Sequence, residues 1–171
     1  KDGEIIHEVE PGLKINDKVT CKIDWERRYK LMRCHTAAHT LAAAIAKETN
    51  ALITGGQLDL DKSKMDFDVE DFNPEKMKLF VDKANEALSK NYEIKTYYLT
   101  REEFEKDASL VKLAKGFPEH IKKVRIVAIG DYDIQADGGT HVKNTKEVGK
   151  IELIKAENKG KSRRRIYYAI R

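Results

Sequence analysis

"DWERRYKLMRCHTAAHTLAAAIAKETN", residues 24–50, is the stretch on which the reading of this chain turns. Asp24 carries a side-chain oxygen suited to cap the free amides of a helix start. The segment behind it, rich in Ala and Leu, predicts one long helix ending at Asn50. Two histidines, His35 and His39, stand four positions apart within it. Residues at that spacing share a helix face with Cβ atoms roughly 5–6 Å apart, so two imidazoles can converge on one tetrahedral metal. They can equally be two rings that share a face. Thr36 occupies the position where a zincin carries the glutamate that acts as general base, which argues against metalloprotease chemistry. Cys34 is rotated about a quarter turn or more from the histidine face and is not expected to ligate the same metal.

Working outward, residues 4 to 9 and 18 to 23 ("KVTCKI") read as short strands around the turn-rich "EPGLKIND". They would form a small β unit without enough partners to stand alone. Beyond the long helix, "ALITGG" and "KSKMDFDV" read as two strands joined by a Gly55-Gly56 turn and its polar continuation. Asn73 and Pro74 are a cap and first-turn proline for the helix "PEKMKLFVDKANEALSKN". "EIKTYYL" is the next strand, and Thr100 with Glu103 makes a capping box that opens a short helix through about Leu110. "KVRIVAIG", "YDIQ", "GKIELIK" and "RRIYYAI" supply further strands. With no regular βαβ repeat, the order predicts an α+β fold: a mostly antiparallel sheet with packed helices.

At 171 residues, 40% hydrophobic and 36% charged, the chain has the composition of a globular protein with a charged surface. No apolar run approaches the roughly 20 residues of a membrane span, and the start does not resemble a signal peptide. A cytoplasmic location with no membrane partner is therefore expected. Cys21 and Cys34 are too few for a disulfide framework and read as packed thiols. The chain starts at Lys1 within a strand-like segment, so further residues are expected upstream. The net charge of +4 is modest, but from Lys155 onward seven Lys/Arg face one Glu. Such a tail suits a polyanion such as RNA, or is a strand end kept solvated by charge.

A tetrahedral site needs two donors besides His35 and His39, and "QADGGTHVKNT" holds both. Asp137 and His141 stand four apart across Gly138 and Gly139, which permit positive φ and a tight turn that aims both side chains at one point. Asp-Gly-Gly is also an ordinary hairpin or strand-to-helix turn. Two such pairs together favour a metal site.

The combination of "DWERRYKLMRCHTAAHTL", "DGGTHVKNTKEVG" about a hundred residues later, and "SRRRIYYAI" resembles the editing domain of alanyl-tRNA synthetases. It resembles still more closely the free-standing alanyl-tRNA editing proteins of the AlaX type, over essentially the whole chain. The resemblance implies one zinc ion per chain, with His35, His39 and His141 as ligands. Where the family commonly has Cys, this chain has Asp137. Aspartate keeps the single negative charge of a thiolate, but oxygen is harder than sulfur and binds zinc at roughly 2.0–2.2 Å instead of 2.3 Å. Metal binding is expected to survive, with relaxed selectivity toward harder divalent ions.

The resemblance also implies an enzyme: a trans-editing hydrolase that deacylates mischarged Ser-tRNA(Ala), with Gly-tRNA(Ala) as a further substrate. Two other readings stay open, a metal-stabilised RNA-binding protein without catalysis, and editing of another mischarged tRNA such as Ser-tRNA(Thr). Thr54 and Gln57, on a glycine-rich segment resembling the family's pocket lining, are candidates to bind the amino acid, or belong to a polar turn. Thr140 is another candidate contact, or a cap for a short helix. Lys161, Arg163, Arg164 and Arg165 are candidate contacts for the tRNA acceptor stem or its 3′ end. Arg27 and Arg28 are weaker ones, equally readable as exposed helix charges. Beyond a metal-bound or positioned water, the sequence leaves the catalytic residues unassigned. Residues 25–171 are expected to form the editing domain, and residues 1–24 the latter part of a small barrel-like domain such as precedes it in longer relatives. His7 reads as a strand-surface residue.

Overall fold

The computed structural model describes residues 6–70 and 73–171. In chain order the elements are α1 (Trp25–Thr49), β1 (Ile53–Gln57), β2 (Ser63–Phe67), α2 (Pro74–Ser89), β3 (Ile94–Thr100), α3 (Arg101–Glu105), β4 (Lys123–Ile129), β5 (Asp133–Ala136), β6 (Ile151–Asn158) and β7 (Arg164–Ile170). Short 3₁₀ turns lie at Ala108–Leu110 and Thr145–Val148. The expected α+β class is what forms, with every strand pair antiparallel.

Helix α1 starts where Asp24 Oδ1 accepts from the Arg27 amide at 3.1 Å. It stops at Asn50, whose φ of 56° turns the chain into the left-handed region while its N–H bonds Ala46 O at 2.8 Å. Its central turns are buried: Ala37, Leu41, Ala44 and Ile45 pack with Met77, Phe80, Val81 and Ala84 of α2. Alanines on that face let two helix backbones approach closely. Below them lies a four-stranded sheet, in the order β1-β2-β7-β6, which adds Phe67, Ile166 and Tyr168 to the same core. Each such large side chain contributes about 1.5–3 kcal/mol through burial. The Tyr168 hydroxyl, fully buried, donates to the Cys34 carbonyl at 3.3 Å and ties the sheet to α1.

A second sheet, β3-β4-β5, has its own small core in which Val124 and Ile126 meet Phe104 and Leu110. The capping box that opens α3 is complete: Glu103 N donates to Thr100 Oγ1 at 3.2 Å, and Thr100 N to Glu103 Oε2 at 2.8 Å.

Three local expectations change. The helix expected to run to Leu110 breaks at Asp107, whose carboxylate accepts from Ser109 N at 2.9 Å and so competes with the helical hydrogen-bond pattern. Gly55 and Gly56 are not the hairpin turn but lie inside β1, opposite Asp66 and Met65. The reversal falls at residues 58–62, where Ser63 Oγ accepts from Asp59 N and donates to Asp59 O. Residues 6–24 form no strand and are exposed throughout, so the strand expected over 18–23 is absent and that over 4–9 is absent in its described part. A strand needs a neighbouring edge for its amides and carbonyls, and among the described residues none pairs with this segment.

Candidate metal centre

The site is assembled where the middle of α1 meets the loop that leaves β5. Asp137 continues β5, its N–H bonding Arg125 O at 3.1 Å. From β4, Arg125 then clamps the loop by donating to the carbonyls of Asp137 at 2.9 Å and Gly139 at 2.8 Å. Within the loop, Gly139 N donates to Asp137 Oδ2 at 2.6 Å, which orients the carboxylate. The loop reaches α1 at Thr36, whose hydroxyl accepts from Val142 N at 3.4 Å and lies 3.1 Å from His141 Nδ1.

The result brings His35, His39, Asp137 and His141 together, with one donor atom of each within 4.8 Å of the others. Asp137 Oδ1 lies 3.5 Å from His35 Nε2 and 3.8 Å from His39 Nε2, and Oδ2 lies 3.1 Å from His141 Nε2. Four donors around zinc at bonds of about 2.0–2.1 Å stand about 3.3 Å apart along the edges of a tetrahedron. The Asp137–His separations bracket that length and the whole donor set spans at most 4.8 Å, so the residues fit a metal ion of this size with small side-chain adjustments.

Electrostatics agrees. Burial, followed by the proximity of His39 and His141, pushes the His35 imidazole down to about 4. His141 is likewise lowered, chiefly by burial. Burial favours the neutral form of Asp137, but the hydrogen bond with His141 and the proximity of His39 and His35 outweigh it and hold the carboxyl well below the usual carboxylate range. Imidazoles with free lone pairs and an ionised carboxylate are the protonation states that metal ligation requires.

Beside the centre a cavity of about 320 Å³ is lined by His35, His39 and Asp137 on one side and by Thr54, Gly55, Gly56 and Gln57 of β1 on the other. Thr54 and Gln57 thus face the metal ligands across one space, with Lys64 and Lys115 also in its wall. Thr140 lies elsewhere: its side chain is exposed, and its carbonyl oxygen sits 3.4 Å from His35 Nδ1. The following 3₁₀ turn is capped by Asn144 with Glu147, not by Thr140.

The basic tail divides. Lys161 is exposed. Arg163 and Arg165 both bond the buried Asp66, at 2.6 Å each, though the Arg163 side chain remains 52% exposed. Arg164 departs from the expected RNA contact: it is 4% exposed and donates to Gly160 O at 2.6 Å, Asn158 Oδ1 at 2.9 Å and Glu70 O. At the start of β7 it points inward while Arg165, the next residue of the strand, points out, and Arg163 just ahead of the strand reaches the same Asp66 as Arg165. Arg27 is exposed and Arg28 partly so, and His7 is exposed and remote from the histidine cluster.

Sequence reasoning used Thr36 only to argue against protease chemistry, and passed over Arg125, which clamps the loop, and Asp133, whose Oδ2 lies 3.9 Å from His39 Nδ1. Asp133 is legible in retrospect, because "DIQAD" has strand period two and sets Asp133, Gln135 and Asp137 on one face.

Residues 124–167, which contain β4 but for its first residue, β5, the Asp137 loop, β6 and the first half of β7, match the Threonyl and Alanyl tRNA synthetase second additional domain. That match, which holds the Asp137 loop of the centre, relates this part of the chain to a domain of threonyl- and alanyl-tRNA synthetases. Over 173 residues the chain is 47% identical to the alanyl-tRNA editing protein AlaX-M of Saccharolobus solfataricus, covering 100% of this chain and 72% of that one. It is 46% identical over 175 residues to the AlaX-M of Methanosarcina barkeri, covering 99% and 72%. An alanine–tRNA ligase of Saccharolobus islandicus is 33% identical over 156 residues, covering 90% of this chain and 17% of the ligase. The chain belongs to the AlaX-M family of alanyl-tRNA editing proteins.

Proposed function

We propose that this chain is an aminoacyl-tRNA deacylase acting in trans on mischarged tRNA(Ala), with Ser-tRNA(Ala) as substrate and Gly-tRNA(Ala) as a second one. The observation that carries this reading is the shared space between the four-donor centre and the polar wall of Thr54 and Gln57. His35, His39, Asp137 and His141 would hold one zinc ion. When bound, it supplies Lewis acidity toward a water or toward the aminoacyl group.

The remaining work falls to the chain's own groups. Thr54 and Gln57 offer hydrogen-bond partners that a seryl hydroxyl satisfies and an alanyl methyl leaves unpaired. A site of that kind discriminates better than an apolar pocket that must reject an added hydroxyl. Ala38, Ile53 and Met65 line the apolar part of the cavity and limit water to the reacting ester. An aminoacyl ester is already labile, so orienting it beside one water supplies much of the acceleration. Lys64 and Lys115 in the cavity wall suit the phosphates of a tRNA 3′ end, and Lys161 and Arg163 suit the acceptor stem. The same reading assigns residues 1–24 to a small domain that precedes the editing domain and places the site of action in the cytoplasm. Among the described residues no helix is long and apolar enough to cross a membrane.

The test is deacylation of Ser-tRNA(Ala), Ala-tRNA(Ala) and Ser-tRNA(Thr) by the zinc-loaded protein. Preference for the first is expected. Equal rates on the first two overturn the specificity, and preference for the third assigns a different tRNA. No hydrolysis of any, with tight RNA binding, leaves a non-catalytic RNA-binding protein.

A further inference from the structure

We infer that Asp133 is a positioning residue for the metal centre, holding the His39 ring through Nδ1 in the tautomer that leaves Nε2 free as a ligand. This rests on reading the four donors as a metal centre. All three histidines turn Nε2 toward Asp137. On the far side of each ring, Nδ1 faces an oxygen: the Thr140 carbonyl at 3.4 Å for His35, the Thr36 hydroxyl at 3.1 Å for His141, and Asp133 Oδ2 at 3.9 Å for His39. Metal-ligating histidines are held this way, and the partner on the second nitrogen fixes both tautomer and ring orientation.

The His39 contact differs from the other two. His39 Nδ1 is buried with no hydrogen-bond partner, and at 3.9 Å its nearest carboxylate is beyond hydrogen-bond reach. Both sides have reason to close that gap. A buried N–H without an acceptor costs on the order of 1–3 kcal/mol. Asp133 is itself 5% exposed, and its recorded hydrogen bond, 2.6 Å to Oδ2, comes from the neutral amide of Gln135. Lys47 lies within the field of this carboxylate but stacks its ammonium on Tyr132, 3.7 Å from the ring centroid. A carboxylate buried beside a neutral amide is stabilised by a cationic centre behind the imidazole. A divalent ion with Asp137 and with Arg125, whose guanidinium lies 3.7 Å from Asp137 Oδ2, is strongly cationic, and Asp133 offsets part of that charge. His39 sits mid-helix on α1 and Asp133 at the start of β5, so both backbones are fixed and a small rotation of the ring suffices.

The test uses zinc binding and imidazole nitrogen NMR, with no tRNA. Asp133→Ala is expected to lower zinc affinity by about 10–100-fold in chelator competition, with Asp133→Asn between it and the wild type because the amide oxygen still accepts. Long-range ¹H–¹⁵N spectra of the zinc-loaded wild type should show a His39 Nδ1 proton protected from exchange, and lose that protection in Asp133→Ala. Affinity within twofold of wild type, or a fall in melting temperature of the zinc-free protein without a change in affinity, overturns the inference. Should Asp133→Ala not fold, the wild-type spectrum decides: a His39 Nδ1 without a proton, or one exchanging freely, overturns it. Wild type that takes up no zinc removes the metal reading itself, whereas uptake unaffected by Asp133 removes this inference alone.

Discussion

Gly139 lies against the ring of His35: a Cβ on residue 139 would stand 2.2 Å from His35 Cε1 and 2.5 Å from Nδ1. Neither Gly138 nor Gly139 takes a positive φ, so the glycine pair does not serve the turn through left-handed geometry as expected. At 139 the requirement is close approach. No flexible side-chain end is available to yield, because the ring is held between α1 and the loop.

Gly139→Ala is therefore expected to displace the His35 ring and lower zinc affinity at least about tenfold, with the helices intact by circular dichroism. Gly138→Ala is the control, since nothing lies within 4 Å of a Cβ there. Equal zinc affinities for the two variants, measured by chelator competition, would contradict the packing account.

Asp137→Cys should keep the charge of the donor set and make it softer. Zinc is expected to bind more tightly than in wild type relative to manganese, because thiolate favours zinc and carboxylate tolerates harder ions. Competition titrations of both metals against both proteins check this. An unchanged zinc-to-manganese ratio would place residue 137 outside the coordination sphere.

Across the cavity, Thr54→Val removes a hydroxyl at nearly constant volume. We expect kcat/KM for Ser-tRNA(Ala) to fall about tenfold or more while that for Gly-tRNA(Ala) changes little, since glycine has no hydroxyl to bind. Parallel losses on both substrates would make Thr54 a structural wall instead of a specificity contact.

Away from the site, Asp66 supplies a pH-dependent share of stability. Hydrogen bonds from Arg165, opposed by burial and assisted by Arg163, push its carboxyl down to about 2 from an ordinary 3.8. The folded value lies below the unfolded one, so the contribution is complete above the unfolded value and is lost as pH falls through the folded one. Its size is about 2 kcal/mol by linkage. Denaturant titrations of the metal-free protein at pH 6 and pH 2.5 should show a larger drop for wild type than for Asp66→Asn. Parallel drops would refute the assignment.

Local chemistry along the chain was enough to place the caps Asp24, Asn73 and Thr100, the long helix with its two histidines, and the Asp-Gly-Gly-Thr-His loop. These depend on neighbours within a few residues, so spacing reveals them. The four candidate donors His35, His39, Asp137 and His141 were legible because each pair is local, four residues apart. What residue spacing did not reveal is how the pairs face one another. That depends on Arg125 clamping the loop from β4 and on Thr36 receiving it on α1, contacts between residues far apart in the chain.

By itself, then, the sequence determined the two long helices and the strands from residue 53 onward, because periodicity and capping act over one or two turns. Only the tertiary structure decided which arginines remain at the surface. In the run Arg163, Arg164, Arg165 three identical side chains meet different fates, and strand alternation sends the middle one inward while Asp66 on β2 engages the outer two. Composition cannot tell such residues apart; the face of the sheet on which each one lands does.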